Sequence, residues 1–173
     1  MAEMIWQKAL NLVQYNGSDV HRFLAECYQG LGDVNLKKNN LDSALAYYQQ
    51  VISENYAEDG IEQIPCDIAR SHAKIGEIYS KKNELSLAWN SFRNSFQFWL
   101  TIEDIHDDLA ELAESYLALA IVCSHHAQHS NAAEAYRIAA RCFIAEDKEN
   151  NEKIEYCCDM IIAEISLSMF LTV

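Results

Sequence analysis

The sequence predicts an all-α protein, a right-handed α-solenoid built from antiparallel helix hairpins, and three observations carry that expectation. Half of the 173 residues are apolar while one proline, Pro65, and five glycines interrupt them, a balance that suits long helices and suits a many-turned β-sandwich poorly. Shifted by 44 residues against itself, the chain aligns without a gap over residues 28–48, 72–92 and 116–136. Within the aligned segments, small and aromatic residues recur at helical spacing.

Taken in chain order, residues 1–16 read as an amphipathic N-terminal helix, with Ile5, Leu10, Leu12 and Val13 available to cover the first hairpin. Residues 22–56, 64–100 and 104–146 form three hairpin repeats in a single domain spanning 1–173. In the first helix of each, an aliphatic (Leu31, Ile75, Leu119) precedes a small residue (Gly32, Gly76, Ala120). Glycine in mid-helix opposes helix propensity, so it marks a place where two helix backbones nearly touch. In the second helix Ala44, Ala88 and Ala132 are each followed one turn on by an aromatic, Tyr48, Phe92 and Tyr136, which can plug the space between paired helices. Lysines 37–38 and 81–82 lead into Asn39-Asn40 and Asn83-Glu84, cations and turn formers suited to the negative end of a helix. Thr101 to Asp104 has the form of a capping box and predicts that the third repeat opens there, with Glu103, Asp104, Asp107, Asp108, Glu111 and Glu114 complementing the helix dipole. Residues 150–170 supply a capping helix or the start of a fourth repeat, in which Glu164 stands where the small residue would be.

Leu31-Gly32 with Ala44 and Tyr48, then Ile75-Gly76 with Ala88 and Phe92, resemble the tetratricopeptide pattern at its own spacing. The third copy keeps Ala132 and Tyr136 and has Ala120 for glycine. The period of 44 exceeds the usual value of about 34 and the closing proline is missing, so the chain is similar to the long-repeat branch, the kinesin light chain, cell-polarity adaptor and soluble NSF attachment protein type. The resemblance implies that the first helices line a concave groove. Its implied contact positions are Glu26, Gln29, Asp33 and Lys37; Arg70, Ala73, Glu77 and Lys81; and Glu114, Leu117, Ile121 and His125, continued by Ile161 and Ile165 in the last helix. The lysine, asparagine and arginine clamp with which one subclass grips acidic chaperone tails at the second and third of these positions is absent, since Gln29, Asp33, Ala73, Glu77, Leu117 and Ile121 stand there.

The net charge of −13 and pI near 4.7 disfavour nucleic acid and anionic membrane as partners. Residues 160–173 are apolar but short and hold Glu164, so membrane insertion is not expected. Six cysteines without a CxxC spacing or a secretory leader read as buried small hydrophobes in a reducing, cytoplasmic compartment, the nucleus not being excluded, and the sequon at Asn16 is then expected to be unused.

Cys123, His125, His126 and His129 are the one cluster with zinc-ligand chemistry. His125 and His126 fall where the earlier repeats have lysine pairs, so the repeat already accounts for them and no metal site is expected. The acidic run lacks the apolar pocket that would separate two carboxyl pKa values, and no nucleophile elbow, phosphate loop or dinucleotide fingerprint occurs. No catalytic residue, cofactor or enzymatic activity is expected. Trp89, Phe92, Phe96 and Trp99 form one stripe at helical spacing, read as core, with Phe98 off it.

The expected function is that of an adaptor or scaffold holding a partner protein or peptide in the groove, within a larger assembly. Acids at Asp33 and Glu77 beside apolar Leu117 and Ile121 favour a ligand with a basic stretch and an apolar anchor. Two alternatives are a domain that self-associates through the apolar C-terminal helix around Met169-Phe170-Leu171, and an acidic chaperone for a basic client.

Overall fold

A computed structural model describes residues 2–13, 20–56, 65–99, 101, 109–146 and 151–170. Among them are eight α-helices and no strand: α1 (Ala2–Val13), α2 (Val20–Lys37), α3 (Leu41–Tyr56), α4 (Pro65–Lys81), α5 (Leu85–Trp99), α6 (Leu109–His125), α7 (His129–Glu146) and α8 (Asn151–Phe170). Helices α2/α3, α4/α5 and α6/α7 form the three hairpins of an α-solenoid, with α1 packed on α2 and α8 on α7.

The hairpin turn is the same structure three times. Asn39, Asn83 and Ala127 adopt left-handed backbone with φ of 61°, 62° and 55°. At each, the following amide reaches back to close the helix: Asn40 N donates to the Asn35 carbonyl, Glu84 to Tyr79 and Gln128 to Cys123, all at 2.9 Å. This is the Schellman closure, which satisfies carbonyls that the helix leaves open. The same residue then starts the next helix, since the carbonyls of Asn40, Glu84 and Gln128 accept from Ala44, Ala88 and Ala132 at 3.0, 3.0 and 2.9 Å. One residue serving both helix ends leaves no slack, which makes the two helices antiparallel.

Inside each hairpin the small residue meets the aromatic. A methyl added to Gly32 would sit 2.9 Å from the Tyr48 ring, and one added to Gly76 would sit 2.8 Å from Phe92. Both rings are buried, as are Ala44, Ala88, Ala132 and Tyr136. The large core runs from α4 to α8 through Trp99, Leu112, Tyr116, Leu119, Phe143 and Cys157, and a smaller one joins Tyr48 of α3 to Ile75 and Ile78 of α4. Phe98 stacks on His72 of α4, with ring centroids 5.8 Å apart. Cys27, Cys123, Cys142 and Cys157 are buried, Cys66 is half-buried, Cys158 is exposed, and none of the six is in a disulfide. Burial pushes Cys123, Cys142 and Cys157 up to about 11, so they remain neutral thiols. No helix among the described residues is long and apolar enough to cross a membrane.

Two sequence expectations need correction. Ile5 is exposed, and the residue of α1 that seals the first hairpin is Trp6, whose indole occupies the space a side chain at Gly30 would need. Lys38 at the end of α2 pairs with Glu3 at the start of α1; Leu12 and Val13 have side chains outside those described. The first helix of the third repeat is described from Leu109, and the Thr101 hydroxyl donates to the Phe98 carbonyl at 2.7 Å at the end of α5; the rest of the expected capping box and acidic opening, residues 102–108, and the sequon at Asn16 lie outside the described residues. Finally, Glu164 does more than end the pattern. Its carboxylate is 1% exposed and lies 2.6 Å from Nδ1 of His129, the first residue of α7. His129 stands where the earlier repeats have Leu41 and Leu85, so two departures from the repeat meet each other and fasten α8 to α7.

Three measurements check these contacts. Replacing Ala127 by glycine relieves the left-handed strain that asparagine tolerates at the equivalent turns, raising stability by about 1 kcal/mol and Tm by about 2–4 °C in thermal melts. Glu164→Ala strands a half-buried imidazole and costs about 2 kcal/mol in urea unfolding, while adding His129→Leu, which restores the repeat, recovers most of that loss; additive losses in the double variant would show that the pair is not coupled. Burial holds His72 below its ordinary value of 6.5. Its contribution to stability is therefore present above pH 6.5 and lost as pH falls toward the lowered folded value. His72→Phe keeps the ring contact and flattens stability over that window.

Candidate functional site

Between α4 and α6 the solenoid opens a cleft of about 460 Å³. Its floor is apolar, formed by Phe92 from α5 and by Ala118, Ile121 and Val122 from α6. Lys74, Glu77, Ser80 and Lys81 of α4 form one wall, and Glu111, Glu114 and Ser115 of α6 the other. Phe92 is thus shared: one part of its ring covers Gly76 and another is reached from the cleft.

The wall charges are paired within the protein. Lys74 lies 3.6 Å from Glu77 and 3.7 Å from Glu111, bridging the two helices, and Lys81 lies 3.7 Å from Glu77. At the end of the cleft Arg70 donates from Nε to Glu111 at 3.0 Å and lies 3.6 Å from Asp67. Glu114 is paired with Lys153 of α8, whose ammonium also lies 4.9 Å from the Phe143 ring centroid. Apart from the Arg70–Asp67 contact, 27% and 20% exposed, these pairs are about one-third exposed or more, so each adds little to stability. Together they align α4 with α6 and neutralise acids that stand alone in the linear sequence. Two serines donate to their own helices, Ser80 to the Gly76 carbonyl at 2.9 Å and Ser115 to Glu111 at 2.8 Å, leaving hydroxyl lone pairs as acceptors.

Of the groove positions expected from the sequence, Glu77, Glu114, Ile121 and Lys81 line this cleft. Glu26, Gln29 and Asp33 lie on α2, apart from it. Glu26 pairs with Arg22 at 3.5 Å, and Asp33 accepts from the buried Tyr48 hydroxyl at 2.6 Å; burial, then that carboxylate, raises the Tyr48 phenol well above its ordinary range. Lys37 and His125 are exposed at helix ends. Ala73 is buried and Leu117 half-buried against the large core, so neither offers a contact surface of the expected kind. The cleft uses Lys74 and Ala118, one residue further on. The reason is helical phase: 70, 74, 77 and 81 share a stripe, whereas 73 lies about 70° from its centre. The charged run Arg70, Lys74, Glu77, Lys81 at spacings of four, three and four was the available signal. Ile161 and Ile165 do not line this cleft; they line a separate one of about 200 Å³ with His129, Ser130, Glu134 and Arg137 of α7.

The histidine cluster is dispersed. Cys123 is buried, His125 and His126 are exposed, and His129 is held by Glu164; no group of three or more potential metal ligands occurs among the described residues.

No family model matches the sequence, and no curated protein does. Among solved structures the chain is similar to the crystal structure of BtubC (BKLC) from P. vanneervenii, with a TM-score of 0.67 and 16% identity over 95% of this chain and 72% of that one. At that identity the likeness establishes the fold, a helical-repeat solenoid.

Proposed function

We propose that the protein is a non-catalytic interaction scaffold and that the cleft between α4 and α6 is where it holds a segment of a partner protein. The observation that carries this reading is an apolar floor, Ala118, Ile121 and Val122 over the buried ring of Phe92, inside a frame of charged pairs. Ile121 is 36% exposed while its neighbours Leu119 and Ala120 are buried, so the floor is an available surface on a packed support. A ligand side chain seated there is bound by removal of apolar area from water. Around it the ligand meets Glu77, Glu111 and Glu114, each already matched by a lysine or arginine. A basic stretch on the ligand exchanges partners with these cations instead of finding bare carboxylates, so charge contributes mainly to encounter and orientation. An amphipathic segment with one apolar anchor and flanking lysine or arginine fits both features.

The test uses a captured partner, reduced to its binding peptide and titrated calorimetrically. Ile121→Glu is expected to weaken binding at least tenfold, or about 1.4 kcal/mol, with the helical circular dichroism unchanged. Ile144→Glu, an exposed site on α7 away from the cleft, leaves affinity as it was. Glu77→Ala with Glu114→Ala lowers affinity at low salt and has little effect at high salt. A peptide whose affinity survives Ile121→Glu binds elsewhere and sinks the assignment.

A further inference from the structure

The stripe that forms the cleft wall in α4 and its floor in α6 recurs in α8 with different chemistry. Counting by the 44-residue period, Arg70, Lys74, Glu77 and Lys81 correspond to Glu114, Ala118, Ile121 and His125, and then to Cys158, Ile162, Ile165 and Met169. Charged, mixed and apolar versions of one helix face thus follow each other along the solenoid. In α8 the face is open: Ile162, Ile165 and Met169 are 65%, 41% and 63% exposed, and Cys158 is exposed as well.

Two properties of this stripe identify what fits it. Its spacing of four, three and four is that of a helix-pairing seam, in which each apolar side chain inserts between residues of a facing helix. The spacing is also the same read in either direction, so an antiparallel copy of α8 sets Ile162 against Ile165 and Cys158 against Met169 across a two-fold axis. Charge selects that direction. Glu152, Lys153, Glu155 and Asp159 all lie in the first half of α8, and from Ile165 to Phe170 there is no charge. Parallel pairing would stack acids on acids in a chain of net charge −13; antiparallel pairing in this register sets Asp159 of one helix against the uncharged Ser168 of the other.

We propose that α8 is a homodimerisation helix, pairing antiparallel with α8 of a second copy through Cys158, Ile162, Ile165 and Met169. The surface is distinct from the cleft between α4 and α6 and does not depend on it. About three turns of helix give less contact than the roughly 800 Å² per partner of a standard interface, so dimer and monomer exchange reversibly with concentration.

Light scattering after size exclusion over a concentration series tests this. The wild-type protein is expected to rise from 19.7 kDa toward twice that mass. Ile162→Glu and Met169→Glu, each at a well-exposed site, are each expected to hold the protein at monomer mass with unchanged circular dichroism, while Ile121→Glu still dimerises. Under mild oxidation an antiparallel pair keeps the two Cys158 thiols apart, so no Cys158-dependent disulfide dimer accumulates. A wild-type protein that stays monomeric throughout, a dimer that survives both glutamate substitutions, or a dimer cross-linked through Cys158 would each overturn the proposal.

Discussion

Everything in this molecule depends on how closely two helices of a hairpin approach at Gly32 and Gly76. The Tyr48 and Phe92 rings lie where a side chain on those residues would be, and that contact sets the distance between helices, which in turn sets where the next hairpin lands. A ring over a glycine is a short-range steric arrangement with almost no tolerance. It is reinforced by the turn, where one residue closes one helix and opens the next. Contact and turn together repeat every 44 residues, so the solenoid is a local rule applied three times. The third repeat loosens both parts of the rule, with Ala120 for glycine and Ala127 for asparagine, and it is also the repeat whose first helix presents an apolar outer face.

In α8 the rule is replaced, not dropped. A glutamate at the close-contact position would be costly to bury alone. It is tolerated because the residue it reaches, His129, has changed from leucine as well. Such a paired exception holds a helix specifically by a polar contact where no ring closes over a glycine. In α1 Trp6 plays a matching part, since its indole fills the space over Gly30 and ties that helix to the first hairpin by shape alone.

Periodic features were legible in the sequence because they are short-range. Helix class, the three hairpins, the turns and the plugging aromatics all come from which residues stand three or four apart. The cleft was legible only to within one helical position. Assigning Ala73 and Leu117 to the groove in place of Lys74 and Ala118 is an error of about 100° in phase, and family geometry cannot resolve it, because it depends on how far α4 and α6 rotate about their axes when they pack. Ion pairing between helices was not legible. Lys74 reaching both Glu77 and Glu111, and Lys153 reaching Glu114 from α8, are contacts across 3, 37 and 39 positions of sequence; only the last two demand the tertiary fold, yet they decide how much negative charge the cleft presents.

That pairing separates two scales of electrostatics. The overall charge of −13 is felt beyond a Debye length only weakly at physiological salt, about 8 Å, but it biases which partners approach. Along the cleft three cations stand on α4: Arg70 and Lys74 meet Glu111 of α6, and Lys81 meets Glu77 of its own helix. A large negative charge on the whole chain therefore coexists with a cleft whose own walls are close to neutral. In the proposed reading the floor is what holds a ligand, and the helix face that corresponds to it by the 44-residue period is charged in α4, mixed in α6 and apolar in α8, while the buried face stays the same. A solenoid permits this because inward and outward faces are specified by different residues of the same helix, so contact chemistry changes without disturbing the ring-over-glycine packing beneath it.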